Sequence, residues 1–97
     1  MIEHTVTFRL NHAAGSLEES AFLNAAAELA SISGVKDFQI RRQTSSKHSH
    51  TFGISMWFAT QSQYLAYNEH PAHVAFVQER WLGEVAEFQE ADFEPLD

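Results

Sequence analysis

At 97 residues the chain is sized for one domain with a single core, since a domain of this length buries only about two-thirds of the surface its unfolded chain exposes. Thirteen acidic against six basic residues give a formal net charge of 6 − 13 = −7, and no Lys/Arg cluster interrupts that balance, so nucleic-acid and anionic-membrane partners are disfavoured. Cysteine is absent, which excludes disulfides, thiolate metal sites and a cysteine nucleophile, and no leader-like or long apolar run follows Met1, so the expectation is a cytoplasmic protein without a membrane span.

Ile2 to Leu10 alternates with the period of a half-buried strand: Ile2, His4, Val6, Phe8 and Leu10 share one face and Glu3, Thr5, Thr7 and Arg9 the other. One imidazole therefore stands in an apolar row. After a loop at Asn11–Gly15, Ser16 with Glu19 makes a capping box that opens a helix. The helix carries Phe22, Leu23, Ala26, Leu29, Ala30 and Ile32 as one apolar stripe and is expected to end at Gly34. Val35 to Gln43 reads as a second strand, with Phe38 and Ile40 on one face and Lys36, Arg41 and Arg42 supplying the charges that suit a sheet edge.

Thr44 to His50 is a polar loop. Thr51 to Phe58 alternates again, with Phe52, Ile54, Met56 and Phe58 opposite Gly53, Ser55 and Trp57. Thr60 and Gln63 form a second capping box, and the helix they open should stop at His70, because Pro71 biases the residue before it away from helical geometry and favours a helix start at itself. In the segment that follows, His73, Val77 and Trp81 share one side with Val74 beside them, and Gly83 is a plausible stop. Val85 to Glu94 reads as the last strand, anchored by Phe88 and Phe93 and closed by Pro95.

The order strand, helix, strand, strand, helix, strand predicts an α+β, ferredoxin-like βαββαβ fold, with a four-stranded antiparallel sheet and both helices on one face. The face with His4, Val6, Phe8, Phe52 and Ile54 should meet the helices, which lets His4 approach the segment bearing His73 and Trp81. The other face, with Thr5, Thr7, Gly53, Ser55 and Trp57, has no cover from this chain, and Trp57 there favours a partner.

Tyr67 to Val77 holds the densest chemistry: one phenol, His70, His73 and the proline-defined helix start. In the first turn of the new helix, free backbone N–H groups and the positive dipole end disfavour an imidazolium, so His73 is expected to be neutral and able to accept a proton. Tyr67, across the proline break, is placed to meet it. His70 is expected to cap or turn the chain. Metal binding by His48 and His50, or by His70 and His73, is the weaker alternative, because no nearby carboxylate completes a ligand set.

The opening Ile2–Phe8, the Gly34-Val35-Lys36-Asp37-Phe38 run, the His70-Pro71-Ala72-His73-Val74-Ala75-Phe76-Val77 run and the Asp92-Phe93 pair together resemble the stress-responsive dimeric α/β-barrel (Dabb) family over nearly the whole chain. The resemblance implies a homodimer in which two ferredoxin-like protomers join their open sheet faces as a dimeric α/β barrel. The family includes a polyketide cyclase, olivetolic acid cyclase. In that kind of member the Tyr and second His of a Tyr-x-x-His-Pro-x-His run act with a first-strand His around a pocket between sheet and helices. The matching residues here are Tyr67, His73 and His4.

Val6, Phe8, Phe22, Phe52, Ile54, Val77 and Trp81 would contact an apolar ligand in such a pocket, unless Phe8, Phe22, Phe52 and Trp81 fill it themselves. Two functions remain. One is cofactor-free acid/base chemistry of cyclase or isomerase type on a small apolar carbonyl compound, with His73 as base and Tyr67 orienting it or stabilising an oxyanion. The other is a non-enzymatic stress or small-ligand carrier in which the same residues hold helices to sheet. For His4 alone, a satisfied core histidine is the leading expectation. No residue pattern calls for a cofactor.

Overall fold

Alternation along Ile2–Leu10 produces strand β1, whose His4, Val6, Phe8 and Leu10 are buried while the intervening side chains stay partly open, in a computed structural model that describes residues 1–97. Strands β2 (Lys36–Arg42), β3 (Phe52–Phe58) and β4 (Val85–Phe93) complete an antiparallel sheet in the order β2-β3-β1-β4. This is the ferredoxin-like arrangement that the element order predicts. The expected β2 is shorter by a residue at each end, and it lies at a sheet edge. There Asp37 takes a left-handed φ of 50° in an irregular step between Lys36 and Gln39, which bends the edge away from further pairing.

Helix α1 (Leu17–Ala27) opens on the expected box, with Ser16 Oγ accepting from Glu19 N at 3.1 Å and Glu19 Oε1 accepting in return from Gly15 N at 3.1 Å. It does not run regularly to Gly34. The chain tightens into a 3₁₀ turn at Glu28–Ser31 and leaves through Gly34, whose φ of 91° puts the chain where a side chain would be strained. Helix α2 (Gln61–Glu69) repeats the same device: Thr60 Oγ1 accepts from Gln63 N at 3.2 Å, and Gln63 Oε1 accepts from Ala59 N at 3.2 Å. Because this cap starts the helix that carries Tyr64 and Tyr67, Thr60→Ala is expected to cost about 1 kcal/mol. Thermal denaturation should show this as a melting temperature lower by roughly 4–8 °C.

The break falls where Pro71 predicts it. His70 is extended (φ −62°, ψ 135°), ends α2, and caps helix α3 (Pro71–Phe76) by accepting from Ala72 N through Nδ1 at 3.0 Å. Beyond α3 the chain widens into a π turn at Val77–Trp81 and finishes with a short helix α4 (Leu82–Glu84), so Gly83 lies inside the last turn. A four-residue step along an α-helix overshoots a full turn by about 40°. The wider i→i+5 turn at Val77–Trp81 rotates the chain less per residue than an α-helix does.

The core lies between the sheet and the helices, with Phe8, Phe22, Met56, Phe58 and Tyr67 shut off from solvent. Phe88 and Phe93 do not anchor β4 in that core. Both are about half exposed: Phe88 stands opposite Phe8 on the helix side of the sheet, and Phe93 opposite Glu3 on the open side. No helix is long and apolar enough to cross a membrane.

Candidate active site

The break between α2 and α3 places three rings over the sheet. Tyr67, on the last turn of α2, is buried and packs its ring 4.6 Å from that of His73 and 6.4 Å from that of His4. His73 donates from Nδ1 to the Asn68 carbonyl at 3.0 Å. A carbonyl only accepts, so Nδ1 carries the hydrogen and the neutral ring keeps its lone pair on Nε2. The residue that orients His73 is therefore Asn68, across the proline break, rather than Tyr67. Burial holds the His73 imidazole below its ordinary value and the neighbouring His4 acts the same way, against the upward pull of the Asn68 carbonyl and the Glu90 carboxylate. Neutral His73 is thus explained first by burial and then by His4, rather than by the helix start.

The Tyr67 phenol beside His73 keeps its proton. Burial, followed by the fields of Tyr64 and Glu90, pushes its phenol above the ordinary value, so it stays protonated. Its hydroxyl has no partner within the chain, yet no fully buried side-chain oxygen or nitrogen lacks one, so the hydroxyl opens on the space beside it.

That space is a cavity of about 310 Å³ between the sheet and the α2–α3 segment, within the size range of small-molecule sites. Its polar end is made by His4, Tyr64, Tyr67, Asn68 and His73. Ile54, Val77 and Trp81 line it as expected, joined by Phe76 and Phe88. Val6, Phe8, Phe22 and Phe52 do not: they are closed into the core, where Phe8 and Phe22 lie 5.1 and 6.1 Å from the Trp81 ring and fix it from behind. These bulky residues support the wall without filling the cavity because the alternation of β1 and the stripe of α1 point them at one another (5.7 Å between Phe8 and Phe22).

At the same polar end, His4 and Tyr64 are tied to the last strand. His4 Nδ1 donates to Asp92 Oδ1 at 2.7 Å and lies 2.9 Å from Tyr64 Oη, which itself donates to Asp92 Oδ2 at 2.8 Å. His4 is therefore satisfied through Nδ1, leaving Nε2 free. Burial, ahead of the bond to Asp92, pushes the Tyr64 phenol up. No role for Tyr64 is read from the sequence, and Asp92 enters there only within the Asp92-Phe93 pair of the family resemblance. Tyr64 lies one turn into α2, and Asp92 reaches His4 only through the pairing of the first and last strands.

Of the other histidines, His12 pairs through Nε2 with Glu84 Oε1 at 2.7 Å, and the remaining three serve the backbone and the loop. His70 is the cap already described. His48 accepts from His50 N through Nδ1 at 3.0 Å, and His50 Nδ1 lies 2.8 Å from Thr7 Oγ1, which pins the Thr44–His50 loop over the open sheet face. No three His, Asp or Glu side chains are grouped so as to hold a metal ion.

The low His73 value has a consequence for stability. As pH falls, the unfolded chain takes up the proton first, so stability is fully present above the ordinary imidazole value of about 6.5 and is lost as pH falls from there through the lower folded value. Urea unfolding from about pH 7.5 to about pH 5 is expected to show a smaller loss in His73→Gln than in the wild type. Equal losses would assign the slope to other groups.

Known proteins agree with this architecture. The chain is 52% identical to a Dabb family protein of Mesorhizobium loti with a ferredoxin-like fold, covering 99% of this chain and 97% of that one at a TM-score of 0.97. It shares its fold with a dimeric ferredoxin-like protein of unknown function from Thermobifida fusca (20% identity, 97% and 90% covered, TM-score 0.80). A hydroxynitrile lyase from Passiflora edulis is similar in the same way (12% identity, 95% and 90% covered, TM-score 0.81). No curated protein sequence matches the chain. With residues 2–95 matching the model of the stress responsive A/B barrel domain, the chain belongs to the Dabb family.

Proposed function

We propose that this protein is an acid/base enzyme that needs no cofactor and acts on a small apolar carbonyl compound. The observation that carries this reading is the pairing, in one cavity wall, of a neutral imidazole whose free nitrogen is set by Asn68 with a protonated phenol that has no partner in the chain. His73 Nε2 takes a proton from the carbon next to the carbonyl, the C–H electron pair becomes the enolate double bond, and Tyr67 donates to the developing oxyanion. The proton then returns to a different carbon in an isomerisation. In an aldol-type cyclisation the enolate carbon instead attacks a second carbonyl, and the imidazolium delivers the proton to the resulting alkoxide. His4, held by Asp92 and Tyr64, shapes the polar end.

The similarity in fold to a hydroxynitrile lyase supports the idea that this architecture can house a catalytic pocket. The test is exchange of the α-protons of an aryl ketone such as 1-indanone for solvent deuterium, followed by NMR. Exchange faster than buffer that disappears in His73→Ala supports the proposal.

The second reading, a carrier or stress protein without turnover, is favoured by the His4–Asp92–Tyr64 bonds, which hold α2 to β1 and β4 as packing would require. It predicts no exchange at all, with a lower melting temperature for His73→Ala. On either reading we place a homodimer at the open sheet face and the site in the space within each protomer. The dimeric state of the Thermobifida fusca protein of the same fold supports that placement.

A further inference from the structure

The charges around the cavity narrow what it can take. None of the six Lys and Arg side chains belongs to its wall, which carries one carboxylate, Glu90. His4 is bonded to Asp92, so that pair contributes no net positive charge. A carboxylate or phosphate entering this space would lose water beside Glu90 and meet no cation.

The Tyr67 hydroxyl and the Nε2 atoms of His73 and His4 remain for a ligand at the polar end, beside the Asn68 side-chain amide. The hydroxyl donates and His73 Nε2 accepts, so a ligand group that satisfies both must accept from one and donate to the other. A hydroxyl does this, whereas an ether or a carboxylate only accepts. The opposite end is formed by Phe76, Val77, Trp81 and Phe88. The volume of about 310 Å³ is roughly twice that of the ~150 Å³ apolar cavity that accommodates benzene, so a ring with a short chain fits.

We propose that the cavity selects an uncharged, ring-sized ligand by a hydroxyl group, as in a phenol or the enol of a small carbonyl compound, and rejects carboxylates and phosphate esters. Its enol form rests on the acid/base reading above, because an enol is what removal of the α-proton yields. A phenol is the stable counterpart of that species and binds whether or not turnover occurs.

The probes are 4-propylphenol, its methyl ether and 4-propylbenzoate, which differ at the head group. Each is titrated into the intact protein and followed by the indole N–H resonance of Trp81. The phenol is expected to bind at least about tenfold more tightly than the ether or the benzoate. Glu90→Gln should narrow the gap between the phenol and the benzoate by about threefold or more. A benzoate or an ether that binds as tightly as the phenol, or the absence of any Trp81 shift with all the probes, would overturn the proposal. Deuterium exchange is measured separately, so the two ideas fail independently. Exchange without phenol selectivity refutes the selectivity alone, and selectivity without exchange refutes the acid/base reading alone.

Discussion

Replacing His73 with alanine is expected to lower the rate of α-proton exchange by at least about a hundredfold while leaving the fold intact, since a positioned general base contributes on the order of 10²–10⁴ in rate. The size of the effect follows from how few groups can substitute for it. His4 Nε2 also opens toward the cavity, but its ring is fixed by Asp92 and Tyr64. Glu90 lines the cavity from the edge strand and not from the α2–α3 break. The fold should survive because His73 is only partly buried and its one side-chain bond goes to the Asn68 carbonyl, which lies where the chain has already turned. The helix start is specified by His70 and Pro71, not by His73.

Tyr67→Phe supplies the internal comparison. It keeps the ring packed against His73 and Phe58 but removes the donor, so it should reduce exchange without touching the acid limb of the pH profile. That limb belongs to His73 and should lie below the ordinary imidazole range, because burial favours its neutral form. Equal exchange rates in wild type and His73→Ala would remove His73 from the chemistry.

Local signals in the sequence reached the scaffold and half of the site. The alternation of β1 placed its ends correctly, both capping boxes form, and the His70-Pro71 break occurs where proline geometry requires it. All three depend on residues within four positions of one another. What local reasoning did not give depends on distant pairing or on packing. Asp92 meets His4 across 88 residues of sequence, so its role exists only once β4 lies beside β1.

Phe88 and Phe93 looked like paired anchors, yet β4 is an edge strand and alternation sends one to the cavity mouth and the other to the open face. The same limit applies to Phe8, Phe22 and Phe52. Periodicity assigns a side chain to a face but does not say which members of that face touch one another and which border a space. The π turn left no readable mark, although the four-residue spacing of His73, Val77 and Trp81 already pointed them to one side, where all three line the cavity.

Trp57→Lys is expected to convert a dimer at micromolar concentration into a monomer with an unchanged far-UV circular dichroism spectrum. On the open face Trp57 stands in one cross-strand row with Glu3, Phe93 and Lys36, so two aromatic rings lie at one end of the sheet. The neighbouring rows hold Gln39, Ser55, Thr5 and Ala91, then Arg41, Gly53, Thr7 and Gln89, so small side chains occupy the two central strands and, Ala91 apart, longer polar ones the flanks. Tryptophan is among the residue types whose truncation in an interface most often costs about 2 kcal/mol or more in binding, about thirtyfold in affinity.

Lysine adds the cost of carrying a charge into the contact, and two-fold symmetry applies that cost twice. Within the protomer the change is mild, because Glu3 faces position 57 directly and can pair with the new ammonium against the opposing effect of Lys36. Sedimentation velocity distinguishes the outcomes. A dimer that persists in Trp57→Lys would move the interface away from this face, and a wild-type monomer would remove it altogether. The cavity lies on the helix side of the sheet and His73 does not touch Trp57, so a folded monomeric variant should keep its Trp81 response to 4-propylphenol. Loss of that response along with the dimer would mean that the partner helps to close the site.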